Sequence, residues 1–289
     1  MPNYAERDKE APIGLYGPVW KLYHSDLDVF DRYWGDIHGP VCARLPKLYR
    51  GWHTRVCKNH GEIWPAIEGV IMTSTAEESF NGIVELAFKS KDDIPIYLDA
   101  GLKYLGDDEP NFLRRSLLYT TTTITYYDEI ENPAPTWETQ YDKFHITIGK
   151  QDDVSLYDFH QWMQVTFAPQ LAKNAPVIKL RLTLMMEAPP NPNPDLVPDI
   201  QAAIEIGFRD RVASRAFLAS NEYKSVTSGM AKYVKSFQVY PERSRSTICY
   251  DGVASLAGLR GLSSALTIEK LGAINQMEED ITQLIAGKS

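Results

Sequence analysis

Two stretches of the chain carry the same pattern of apolar and polar positions. Ile83–Leu98, IVELAFKSKDDIPIYL, reads as a buried strand over Ile83–Phe88 that runs into a helix. Ala203–Leu218, AIEIGFRDRVASRAFL, repeats it at a shift of 120 (205 − 85). Glu85 meets Glu205, Phe88 meets Phe208 and Leu98 meets Leu218, and the exchanges between them are conservative: Val84/Ile204, Leu86/Ile206, Lys89/Arg209 and Tyr97/Phe217. The flanking elements recur in the same order, so the chain reads as a tandem duplication.

In the first half, aromatic and β-branched residues predict a strand over Leu15–His24. Asp26 is placed to cap a helix over Leu27–Ile37, with Leu27, Phe30, Tyr33, Trp34 and Ile37 on one buried face. Glycine and proline predict its end at His38-Gly39-Pro40, before a short turn over Val41–Leu45. A second strand follows over Lys47–Val56, then an irregular excursion over residues 57–80, then the repeated unit. Leu113–Tyr127 closes the half as a β-prone run whose threonine-rich centre reads as a sheet edge. Beyond a proline-containing linker, Glu131–Glu138, come a strand over Lys143–Lys150 and a helix over Val154–Leu171. A strand over Val177–Met186, an excursion over residues 191–199, the repeated unit and a closing strand over Val234–Tyr240 complete the second half. Each half is thus β-α-β-β-α-β, a ferredoxin-like α+β unit with one sheet face left apolar. Packing the two antiparallel sheets face to face as an α+β barrel covers both. The expected organisation is residues 13–130 and 139–250 as barrel halves and 251–289 as a helical tail. In the tail, Leu266, Leu271, Ile274, Met277, Ile281 and Leu284 step at helical spacing. This helix packs either on its own domain or, in a homodimer, on a second subunit.

Composition narrows the partners. A net charge of −8 over 289 residues leaves nothing basic to neutralise phosphates, so no nucleic-acid partner is expected. No stretch approaches the ~20 apolar residues of a membrane span, and the polar start MPNYAERDKEAP has no signal-peptide core. Three scattered cysteines, Cys42, Cys57 and Cys249, suit a reducing, cytoplasmic setting.

The run YWGDIHGPVCARLPKLYRGW (Tyr33–Trp52), followed by NGIVELAF (Asn81–Phe88), resembles the EthD-like family of dimeric α+β barrels. Trp34, His38, Gly39, Pro40, Leu45, Pro46, Gly82 and Glu85 carry the likeness, which spans roughly residues 14–127 and 141–240. The second half keeps Trp162, Pro169, Pro176 and Glu205 but not the His-Gly-Pro. Where the family's second strand carries glutamine and then histidine, this chain has His53 and Arg55. The resemblance implies a cofactor-independent enzyme on a small aromatic or polyketide-like substrate: a cyclase, lyase or isomerase, or alternatively a monooxygenase. A non-catalytic ligand-binding or stress-response barrel and a haem-dependent enzyme stay open beside it.

The residues suggest the roles. His38, beside a helix end, is either a proton shuttle or a cap for the turn. His53 and Arg55 share a strand face with Tyr49 and Gly51, a polar pair suited to acid–base work in an aromatic cavity, or to a solvent-facing strand end. His53 or His38 is the expected general acid/base, with Arg55 and Tyr23 holding a developing oxyanion. Trp52, Tyr49, Trp20 and Glu85 are the expected substrate contacts, though Glu85 also reads as fold-keeping because Glu205 repeats it. His24 and His145 are weaker cavity candidates. Cys57-x-x-His60 lacks a second ligand pair, and no HExxH, CxxC, Walker, GxGxxG or GxSxG motif occurs, so no metal and no nucleotide chemistry is expected. No cofactor is expected either, with haem left open.

Overall fold

The computed structural model describes residues 2–59, 61–75, 77–133, 136–137, 141–187 and 199–285. His60 and most of the 191–199 excursion lie outside these. The first half runs β1 (Ile13–Lys21), α1 (Leu27–Arg32), a π-helical stretch (Tyr33–His38), α2 (Gly39–Cys42), β2 (Arg50–Val56), β3 (Gly82–Phe88), α3 (Asp93–Leu105), β4 (Leu113–Ser116) and β5 (Tyr119–Asp128). The second repeats it as β6 (Asp142–Lys150), α4 (Leu156–Trp162), a π stretch (Met163–Phe167), α5 (Ala168–Asn174), β7 (Val177–Glu187), β8 (Ala202–Phe208), α6 (Arg211–Leu218), α7 (Asn221–Thr227) and β9 (Val234–Tyr250). A short β10 (Val253–Ala254) and helices α8 (Leu256–Arg260), α9 (Leu262–Leu271) and α10 (Glu279–Ile285) follow.

Two sheets do not merely face each other; they are one. The strands run β9-β2-β3-β1-β5-β7-β8-β6, and β6 pairs with β9 again, so the ring closes. Both seams are built alike. The first part of β9 pairs with β6 (Ile146↔Val239) and its second part with β2 (His53↔Ser246). Likewise β5 pairs with β1 (Leu15↔Thr120) and with β7 (Thr123↔Thr183). The threonine-rich run is therefore an interior strand and not a sheet edge. Its alternation is weak because β5 lies at a seam. Strand β9 extends ten residues past the expected end at Tyr240, to Tyr250, through PERSRSTICY. Apolar periodicity missed this segment because its inward positions carry charge, as shown below.

The helix does not stop at His38-Gly39-Pro40. The Gly39 amide donates to the Trp34 carbonyl five residues back, a π turn. The wider turn relieves the clash that a proline ring makes with the preceding turn, so the helix runs on to Cys42. The same device recurs at Met163–Phe167 before Pro169, where the Ala168 amide donates to Met163. One extra residue in the turn also rotates the buried face. Phe30, Trp34 and His38 are buried, whereas Ile37, expected inside, is exposed; Leu27, also expected inside, is exposed at the helix start, ahead of the π turn.

The start of the tail packs on the barrel, but the single packed helix expected there does not form: α9 ends at Leu271, and Leu271, Ile274, Met277 and Leu284 are exposed. α8 lies against α2 and β9, and α9 against the π stretch. The Ser263 amide and hydroxyl both donate to the Asp36 carboxylate at 2.6 Å. Among the described residues, no helix is long and apolar enough to cross a membrane.

Candidate functional site

Alternation along β2 sends Trp52 into the barrel and Gly51, His53 and Arg55 out toward the helices. His53 lies flat under Trp34 (ring centroids 4.5 Å apart, 16° between planes). Trp34 in turn rests on Gly82, where a Cβ would fall 2.3 Å from the indole ring, so this strand position requires glycine. Burial, together with the nearby charges of His38 and Arg55, holds the His53 pKa well below the usual histidine value. The ring is thus neutral, and its Nδ1 has no hydrogen-bond partner among the described residues.

Above this layer, the outer face of β1, β3 and β4 and the inner face of α3 enclose a cavity of ≈ 360 Å³. Val19, Val84, Leu86 and Leu113 form its floor, and Tyr97, Leu98, Leu102 and Leu105 its roof. Trp34, His38 and Cys42 form the wall on the π-helical side, and Glu109 and Ser116 stand at the far side. His38 Nδ1 lies 2.8 Å from Asp108 Oδ2, and the Tyr33 hydroxyl donates to Asp108 Oδ1 at 2.6 Å. Burial pushes the Asp108 pKa up, but the hydrogen bonds from Tyr33 and His38 outweigh it and leave the carboxyl below its ordinary value. An ionised Asp108 accepting from Nδ1–H leaves the free nitrogen lone pair of the His38 ring on Nε2, the tautomer that suits a base. Cys42, by contrast, is pushed up to about 12 by burial and is no nucleophile.

The other expected residues are dispersed. His53 is one layer behind Trp34, its ring centroid 6.4 Å from that of His38. Arg55 is sealed between the rings of Trp34 and Trp137, 5.4 Å from each, and donates to the Asp31 carbonyl at 3.0 Å. Burial lowers its pKa to about 10, with Asp31 opposing the shift. Its bonds tie β2 to α1 through Asp31 and to β9 through Ser246. Tyr23 is 69% exposed and bonded to Glu77, outside the cavity. The Tyr49 hydroxyl donates to Glu10 on the outer surface. Trp20 points into the barrel, edge-on to Phe80 and under the Arg115 guanidinium.

Trp52 and Glu85 belong to the barrel interior. β3 and β8 stand four places apart in the ring, so contacts between them must cross the lumen. There Arg181 bonds Glu85 and lies 2.9 Å from Glu205, while Arg245 lies 2.6 Å from Glu205 and 3.4 Å from Glu85. Both guanidiniums sit over the Trp52 ring, at 5.0 and 4.8 Å. His145, Glu205 and Glu242 also converge within 4.8 Å, a set with metal-ligand chemistry. Charge argues against a cation there. Glu205 already meets Lys179 at 3.2 Å besides the two arginines, and Lys143 acts on Glu242. Among the described residues, three carboxylates (Glu85, Glu205, Glu242) thus face four cations (Arg181, Arg245, Lys179, Lys143), and a divalent ion would add positive charge to a buried cluster that already carries an excess of it.

The second half shows what the first would be without a site. At a shift of 129 (167 − 38 = 182 − 53 = 184 − 55), Phe167, Leu182 and Leu184 replace His38, His53 and Arg55. At a shift of 121 (230 − 109 = 234 − 113), Met230 replaces Glu109. All four pack in one apolar core, joined by Trp64, Ile67 and Met72 from the 57–80 excursion of the first half. Asp108 and Glu109 were not read as site residues. For Glu109, its replacement by Met230 in the repeat was the signal available; Asp108 falls on Gly229 and left none.

This is an α+β barrel of ferredoxin-like halves. No family model matches the chain, and no curated protein matches its sequence. Solved structures do. One, from Fusobacterium nucleatum subsp. nucleatum and provisionally described as a monooxygenase, is 6% identical with a TM-score of 0.51 and covers 84% of this chain and 97% of its own. Another, described as anthrone oxidase-like, is 8% identical with a TM-score of 0.51, covering 85% and 96%. At such identities the likeness is one of fold.

Proposed function

We propose that the protein is a cofactor-independent acid–base enzyme acting on a small aromatic or polyketide-like molecule, with His38 as the base. The observation that carries this is the Tyr33–Asp108–His38 chain, which fixes one imidazole on the wall of a largely apolar cavity. The cavity is about 2.4 times the 150 Å³ that holds one benzene ring, room for roughly two to three fused rings. His38 takes a proton from an acidic C–H or O–H of the ligand, and Asp108 stabilises the imidazolium that forms. Returning the proton to another atom of the same ligand gives isomerisation or cyclisation. The EthD-like motif and the fold neighbours described as a monooxygenase and as anthrone oxidase-like support a second outcome within the same class, in which the deprotonated ligand reacts with oxygen.

A haem is disfavoured. A macrocycle of four pyrrole rings exceeds the room for two to three rings in this cavity, and among the described residues no Lys or Arg lines it to meet the propionates. Asp108 acts as a positioning residue. With the true substrate, His38→Gln is expected to lower kcat by about 10²–10⁴. Asp108→Asn is expected to lower kcat with little change in KM, as loss of the tautomer requires. Unchanged turnover in both variants would remove this reading.

A further inference from the structure

Resting on that reading of the cavity, we propose that the site selects its ligand by charge, admitting uncharged or cationic ring systems and rejecting anions, with Glu109 as the specificity-determining residue. Among the described residues, the cavity wall holds no lysine or arginine, while Glu109 stands in it with a carboxylate that accepts from Ser116 at 2.7 Å. Glu109 ends the run Gly106-Asp107-Asp108-Glu109, and Gly106 also lines the cavity. Asp108 receives hydrogen bonds from a phenol and an imidazole, neither of which cancels its charge while His38 is in its basic, neutral form. Nearby cations are turned elsewhere: Lys103 lies over the Tyr104 ring and Arg114 pairs with Glu77. Apolar walls strengthen the field of the two carboxylates, and an anion entering among leucines finds no counter-charge. A purely structural role does not demand an acid at this place, since the repeat fills it with Met230.

The selection also bears on the reaction. A carboxylate-bearing ligand is excluded, and the negative charge created by proton removal is stable only beside the imidazolium that took the proton. The site therefore favours reactions in which charge is transient and the product leaves neutral.

The test uses three probes on one ring system, 2-naphthylmethanol, 2-naphthoate and 2-naphthylmethylammonium, titrated against the full chain at pH 7.5 by calorimetry. Naphthoate is expected to bind at least about tenfold more weakly than the alcohol, and the amine no more weakly than the alcohol. Glu109→Gln narrows the gap between naphthoate and alcohol several-fold, while Asp107→Asn, on the exposed neighbour, narrows it less. Naphthoate binding as tightly as the alcohol in the parent protein overturns the charge selection while leaving the cavity as a ligand site. A gap that Glu109→Gln leaves untouched overturns the role of Glu109. If none of the three binds, the reading of the cavity as a small-molecule site falls, and the selection with it.

Discussion

His53 shows how a single buried side chain shapes the response to pH. Its pKa in the folded protein lies well below the unfolded value near 6.5, through burial and the neighbouring His38 and Arg55. The unfolded chain therefore takes up this proton first as pH falls. The stabilisation is present above about pH 6.5 and is lost as pH drops toward the folded value, at up to about 1.4 kcal/mol per pH unit. Glu205, Glu242 and Asp108 have depressed values, so their stabilisation is present above their ordinary pKa values and lost in a more acidic window. His53→Leu, which copies Leu182 of the repeat, is expected to keep the fold and flatten the fall in Tm between pH 7 and 5. Thermal melts across that range check it, and an unchanged slope would contradict the assignment. His38 was legible in the sequence because it sits in a recognisable run at a helix turn. Its partner was not, because Asp108 lies seventy residues away in a stretch with neither periodicity nor motif.

At the scale of elements, strand and helix order followed from apolar spacing, but two boundaries did not. The helix end at His38-Gly39-Pro40 was misplaced because a π turn absorbs the proline, and the rotated face put Ile37 outside. The far half of β9 was hidden because arginine, not leucine, faces inward there. The 57–80 excursion carries a long-range role that local pattern cannot show: Trp64 crosses to the second half and meets Phe144, Tyr223 and Phe237. Trp64→Ala is expected to cost about 3–5 kcal/mol in urea unfolding, a loss in the second half caused by a residue of the first.

For the whole molecule, the repeated glutamate proved to be the hub of the barrel. Reading Glu85 and Glu205 as fold-keeping needed only the duplication. Seeing that they meet needed the closed ring, because their partners come from β7 and β9. Arg181→Met leaves the buried Glu85 carboxylate with Arg245 alone, 3.4 Å away, and is expected to destabilise by about 3–5 kcal/mol. Adding Glu85→Gln should restore part of the loss, and a double-mutant cycle measures the coupling.

Ring closure through β9 also sets a timetable for synthesis. Strand β2 meets its second neighbour only when residues 244–249 are made, since Gly51 pairs with Cys249. At about 5–20 residues per second, the 198 residues from Trp52 through Cys249 (249 − 51) take roughly 10–40 s. Through that interval the nascent first half presents β2 as an open edge, with the polar pair His53 and Arg55 beside it. Completion of the last long strand, and not the folding of either half, is the event that turns the chain into a barrel.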